Sequence, residues 1–205
     1  MLTIWGRLSS VNVQKVVICA EELGLAYERV DAGGKFGGLD TPEALARNPN
    51  KLIPVIRDGD FVLWESNAIV RYLSRAYGAG SLWPADPRAA ADADRWMDWQ
   101  CTTLNPALFD AFWNTIRVAP AERNQAAVDA SVAKTEPLLA MLDARLADRE
   151  CVAGAHSMGD IPLACTAHRW YGLPIERRRH ANVEAWLARL RARAAYAAVL
   201  TYPIT

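Results

Sequence analysis

The sequence predicts an α/β part followed by an all-α part, and three observations carry that prediction. Short β-prone runs alternate with helical patterns from Leu2 to Tyr77. The texture breaks at Gly78-Ala79-Gly80-Ser81 and at Trp83-Pro84-Ala85-Asp86-Pro87. Beyond that break strand signals nearly vanish, while alanine, leucine and tryptophan recur at helical spacing. The expected boundaries are therefore 1–78 for the α/β domain, 79–87 for a linker and 88–205 for a helical domain.

Leu2 to Trp5 reads as the first strand. From Val13 the set Val13, Val16, Val17, Ala20 and Leu23 keeps helical spacing and stops at Gly24, a C-cap signal. Tyr27 to Val30 is a second strand, and Gly33 to Gly38 is a loop. Thr41-Pro42-Glu43 supplies a hydroxyl N-cap and a proline at the first helical position, opening a short helix to about Arg47. Pro54 to Arg57 and Phe61 to Leu63 are short strands around the turn Asp58-Gly59-Asp60, and a helix follows from about Ser66 to Tyr77. Alternation that ends in a hairpin, β-α-β-α-β-β-α, implies a mixed sheet with helices on its faces.

Arg88 to about Ile116 reads as a long helical stretch that Pro106 should kink or divide, because proline lacks the N–H the helical ladder needs. Ala121 to about Asp148 places Leu138, Leu139, Leu142 and Leu146 on one stripe. Ser157-Met158-Gly159-Asp160 reads as a capping box with an aspartate in the usual glutamate position, opening a buried helix to Tyr171. Arg177-Arg178-Arg179-His180 reads as a solvated connection, Val183 to Arg191 as a last helix, and the end as irregular.

Composition narrows the function. Formal net charge is zero, which removes the electrostatic case for nucleic acid or an anionic membrane surface. No apolar run approaches membrane-spanning length, and Met1 to Trp5 is too short and uncharged for a secretory signal, so the expected compartment is the cytoplasm. Cys19, Cys101, Cys151 and Cys165 lie far apart with no Cys-x-x-Cys, and His156, His168 and His180 are scattered. Neither a metal site nor dithiol chemistry is expected.

Two segments carry chemistry. Asn50-Lys51-Leu52-Ile53-Pro54-Val55 enters a strand through proline, which cannot donate to the ladder and leaves the adjoining backbone free. A cis Ile53-Pro54 bond would present the N–H and C=O of Ile53 sideways to a ligand. Trp64-Glu65-Ser66-Asn67-Ala68-Ile69 places an acid and a hydroxyl at a helix N-terminus, a natural receptor for a carboxylate. Together these groups suit an extended peptide held along its backbone and at one charged end.

With Ser10-Val11-Asn12-Val13-Gln14-Lys15-Val16, Asn48-Pro49-Asn50-Lys51-Leu52-Ile53-Pro54, Glu65-Ser66-Asn67-Ala68-Ile69 and Ser157-Met158-Gly159-Asp160-Ile161, the chain resembles the cytosolic glutathione transferases over nearly its whole length. Trp5-Gly6-Arg7 and Trp96-Met97-Asp98-Trp99 are similar to a bacterial, serine-type, theta-like branch. The resemblance implies a thioredoxin-like βαβαββα domain and a C-terminal helical bundle, glutathione as co-substrate, a small electrophile as second substrate and a homodimer. It implies that Ile53 and Pro54 pair with the cysteinyl part of glutathione, that Glu65 and Ser66 hold the γ-glutamyl end, and that Lys51 faces the glycyl carboxylate. A glutathione-dependent peroxidase or disulfide reductase, or a non-catalytic binding member of the same fold, are the alternatives.

Conjugation needs a thiolate, and a thiol of pKa ~8.5 is only about 3% ionised at pH 7. A hydroxyl donating to sulfur at a helix N-terminus favours the anion. Ser10, Ser9 and Asn12 are the candidates, with Ser10 at the position matching the catalytic serine of serine-type members. Neither tyrosine nor cysteine occurs in this loop. Arg7 and Arg117 are the candidates for the electrophile pocket, where a cation would steer a carboxylate or assist an anionic leaving group.

Overall fold

Four strands form one mixed sheet in the order β2-β1-β3-β4 in the computed structural model, which describes residues 1–204. β1 (Leu2–Trp5) pairs in parallel with β2 (Tyr27–Val30) and antiparallel with β3 (Val55–Asp58); β3 pairs antiparallel with β4 (Phe61–Trp64). Ile4 lies opposite Ile56 in the central pair, and both are fully buried, as strands covered on both faces require. Residues of β2 alternate between half-buried and exposed, the pattern of an edge strand with one face on the core. The helices of this half are α1 (Val11–Glu22), α2 (Pro42–Arg47) and α3 (Ser66–Tyr77). The predicted element order is the one observed.

From Pro87 onward the described residues form helices. α4 (Pro87–Trp99) and α5 (Asn105–Phe112) are separated by a π-helical turn at Gln100–Leu104, and a second such turn, Trp113–Arg117, follows α5. Pro106 stands in the first turn of α5, so the wider turn before it absorbs both the ring and the missing N–H. α6 (Gln125–Arg145), α7 (Asp160–Tyr171), α8 (Ala181–Arg191) and α9 (Ala194–Val199) complete this half. α1 packs against α3 and against α7 and α9, so one apolar core joins the two halves. No described helix is long and apolar enough to cross a membrane.

Three local readings change. The chain end is not wholly irregular: α9 buries Ala195, Tyr196 and Val199, and six residues are too few to show a period. The capping box is half present. The Asp160 carboxylate accepts from the Ser157 N–H at 3.0 Å, but the Ser157 hydroxyl donates to Asp160 at 3.3 Å and caps no helix amide. A fully buried carboxylate needs every donor within reach, and Asp160 also accepts from Val152 N and Trp186 Nε1, each at 3.0 Å. The basic run is not simply solvated either. Arg177 donates to the carbonyls of Trp170 and Leu173, and His180 is buried 3.0 Å from Glu136. Carbonyls at the end of α7 need donors, and this run supplies one.

Candidate active site

The loop between β1 and α1 passes through a narrow gap. A Cβ on Gly6, whose φ is +148°, would meet Val13 Cγ2 at 2.5 Å and Ile53 Cβ at 3.3 Å, so glycine is what lets this backbone lie against Ile53. Ser10 is the N-cap of α1, with an extended backbone, and its carbonyl accepts from Gln14 N at 2.9 Å. Its hydroxyl caps nothing and makes no hydrogen bond among the described residues. The other two candidates are engaged. Ser9 Oγ accepts from Arg7 Nη1 at 2.7 Å, and Asn12 Oδ1 accepts from Ser66 Oγ at 3.3 Å.

Asn48 shapes the approach to β3. It donates through Nδ2 to the Leu52 carbonyl at 2.9 Å, and its Oδ1 accepts from both nitrogens of Asn50 at 3.0 Å. The Ile53-Pro54 bond is cis. Ladder pairing of β3 begins at Val55, so the N–H and C=O of Ile53 lie outside the sheet, where neither bonds another described backbone group. Lys51 sits in the left-handed region at φ 57°, and its ammonium lies 2.9 Å from Asp40 Oδ1 on the surface. An ion pair this exposed contributes little and exchanges readily for another anion.

Glu65 precedes α3 at φ 72°, ψ 109°, a conformation that L-residues rarely adopt. Its side chain does not cap the helix, so the first N–H groups of α3 have no side-chain acceptor. Thr41, Asp86 and Asn124 do cap α2, α4 and α6. The uncapped starts of α1 and α3 are joined by the Ser66–Asn12 hydrogen bond, which brings two positive dipole ends to one place.

Beneath Ser66 lies a network that motif reading missed. Lys15, on α1, is 3% exposed, and Nζ donates to Ser66 Oγ at 3.4 Å, Asn67 Oδ1 at 3.2 Å and Gln100 Oε1 at 3.2 Å. No carboxylate among the described residues lies within ion-pair distance of it. Burial lowers the lysine to about 8. Gln100 Nε2 in turn donates to Thr166 at 2.8 Å and Asn67 Nδ2 to the Met97 carbonyl at 2.9 Å, so α1, α3, the π turn and α7 share one network. A lysine among valines was the only sequence signal for it.

Arg7 and Arg117 line the same cleft, of about 590 Å³, together with Ser9, Lys35 and Phe36. Arg7 lies across the backbone of Gly34, where a Cβ would come within 2.7 Å of its Nε. A larger cleft of about 960 Å³ runs along α6 beside the 174–180 segment, away from the β1–α1 loop and from Ile53. None of the candidate site residues lines it, whereas Arg7, Ser9 and Arg117 line the smaller cleft.

A mixed βαβαββα sheet, with a cis-proline entry to β3 and uncapped starts at α1 and α3, defines a thioredoxin-like domain. Residues 1–75 match the family model for the glutathione S-transferase N-terminal domain. The chain is 40% identical over 208 residues to glutathione S-transferase GstB of Escherichia coli, covering all of both chains. It is 34% identical over 200 residues to a probable glutathione S-transferase, GSTF1, of Oryza sativa, covering 93% of this chain and 91% of the other. The structure of a theta class glutathione S-transferase from Xanthomonas axonopodis pv. citri, with glutathione bound, superposes with a TM-score of 0.95 at 45% identity, covering 100% and 99% of the two chains. The chain belongs to the glutathione S-transferases, a family of enzymes.

Proposed function

We propose that this protein conjugates the thiolate of glutathione to small electrophiles, halogenated compounds among them, with the Ser10 hydroxyl as donor to the sulfur. The observation that supports the assignment is that the Ser10 hydroxyl, at the start of α1, makes no hydrogen bond among the described residues, whereas Ser9 Oγ and Asn12 Oδ1 each accept one. Ile53 offers its backbone pair to the cysteinyl unit, Pro54 ends that edge, and Glu65 with Ser66 receives the γ-glutamyl group. Lys51 exchanges Asp40 for the glycyl carboxylate. Residues 1–78 thus hold glutathione, 79–87 connect, and 88–205 complete the pocket for the electrophile.

Lowering the thiol pKa by ~2 units raises the thiolate about 25-fold at pH 7. With a Brønsted slope of ~0.45, intrinsic nucleophilicity falls about eightfold over the same shift. Net gain from ionisation is then only a few-fold, so most acceleration comes from holding the electrophile beside sulfur. Chemistry at the three buried cysteines is disfavoured, because burial pushes Cys19, Cys151 and Cys165 up to about 12.

The same reading makes the protein a homodimer. Phe61 and Trp64 of β4 and Tyr77 of α3 are large apolar side chains left exposed, as a self-association face requires. Glutathione calorimetry followed by conjugation assays over a panel of electrophiles, hydroperoxides and mixed disulfides tests the function. Conjugation with little peroxide or disulfide reduction is expected. Binding without conjugation, or reduction in its place, overturns it.

A further inference from the structure

The cleft beside the sulfur position is basic. Among its lining residues Asp31 is the only acid, and Arg29 already pairs with it. Arg117 and Lys35 have no carboxylate partner among the described residues. Behind this wall, on α7, stands Arg169, partly buried, its guanidinium 4.0 Å from the centre of the Phe112 ring. Arg117 approaches the same ring at 5.8 Å. A guanidinium held mainly on an aromatic face, with like charges for neighbours, gains from an anion that enters the space between them. Burial and the charges of Arg117 and Arg7 together lower Arg169 to about 10, which marks these cations as mutually repelling.

Resting on the conjugation reading above, we infer that Arg7 and Arg117 form an anion seat in the electrophile half of the site, with Arg169 as a positioning residue behind it. The electrophile this seat selects carries a carboxylate next to the carbon that is attacked, as a 2-halocarboxylate does. In the step itself the glutathione thiol has already lost its proton to solvent. Its sulfur uses an electron pair to form the C–S bond, the carbon–halogen bond breaks, and the halide leaves with its pair. Thiolate and carboxylate are both anions, and bringing them together in water is opposed by their repulsion. Fixed guanidinium groups offset that repulsion where the two meet. A neutral amide of the same size needs no such help.

Chloroacetate and chloroacetamide form the test pair, assayed with glutathione at low and moderate salt. The wild-type enzyme should accelerate the acid, relative to the uncatalysed reaction, more than the amide. Arg117→Gln should lower kcat/KM for the acid roughly tenfold or more, as expected when a charge-assisted hydrogen bond is lost. Any loss on the amide should be much smaller, and Arg117→Lys should restore part of the preference. Arg169→Met should lower the acid-to-amide ratio in the same direction, and salt should slow the acid selectively. Turnover of the amide with no preference for the acid, or equal losses on both substrates in Arg117→Gln, overturns the seat and leaves conjugation standing. Glutathione binding without turnover of either compound overturns the seat, and conjugation falls with it only when the wider electrophile panel also gives no product.

Discussion

The Ser66 hydroxyl donates to Asn12 Oδ1 at 3.3 Å, fastening the first residue of α3 to the first turn of α1. The bond joins the place proposed for the γ-glutamyl group to the helix start proposed to face the sulfur.

Ser66→Ala should raise the KM for glutathione about tenfold, the effect of losing one hydrogen bond to a charged group, with a smaller change in kcat. Steady-state kinetics with glutathione as the varied substrate measure this. An unchanged KM removes Ser66 from the glutathione site.

Lys15 makes stability depend on pH in the alkaline range. Its folded pKa is lowered from the usual lysine value of 10.5 to about 8 by burial. Between those values the folded chain has released a proton that the unfolded chain keeps, so stability rises with pH through this window. The wild type should gain roughly 3 kcal/mol relative to Lys15→Met between pH 8 and the ordinary lysine range. Urea unfolding of both proteins across that range is the measurement, and a flat difference contradicts the account.

Glu65 holds a backbone conformation that costs about 1–3 kcal/mol for a residue with a side chain. Glu65→Gly should therefore unfold at higher denaturant, by about 1 kcal/mol, while binding glutathione more weakly. Loss of both stability and affinity would show that the carboxylate, and not the backbone angle, dominates there.

Asp160 gathers donors from Val152, Ser157 and Trp186 at the start of α7. Asp160→Ala leaves these buried groups without an acceptor and should cost about 3 kcal/mol or more in urea unfolding. A loss under 1 kcal/mol would mean that water replaces the carboxylate without penalty.

Regular elements were legible because each rests on local rules. Thr41-Pro42 starts α2, Gly24 follows the end of α1, and Pro106 interrupts the α4–α5 rod, all through backbone chemistry that short stretches of sequence carry. Family membership was legible from the order of four short motifs along the chain. What escaped were contacts between distant segments. Lys15 reads as one more charge on α1 until Gln100, 85 residues on, closes around it. Arg169 reads as an ordinary charge near a helix end until Phe112 is brought beneath it. Asn12 likewise shows no partner in its local sequence until Ser66, 54 residues on, is brought against it.

One measurement bears most directly on the central claim, that the Ser10 hydroxyl stabilises the glutathione thiolate. The ultraviolet absorbance of bound thiolate, titrated with pH in the wild type, Ser10→Ala and Ser9→Ala, gives the thiol pKa in each. The wild type should titrate about two units below the free thiol's ~8.5, and Ser10→Ala should move the midpoint up by about one unit or more, with a smaller shift in Ser9→Ala. A Ser10→Ala protein that binds glutathione and keeps the wild-type midpoint would contradict the account.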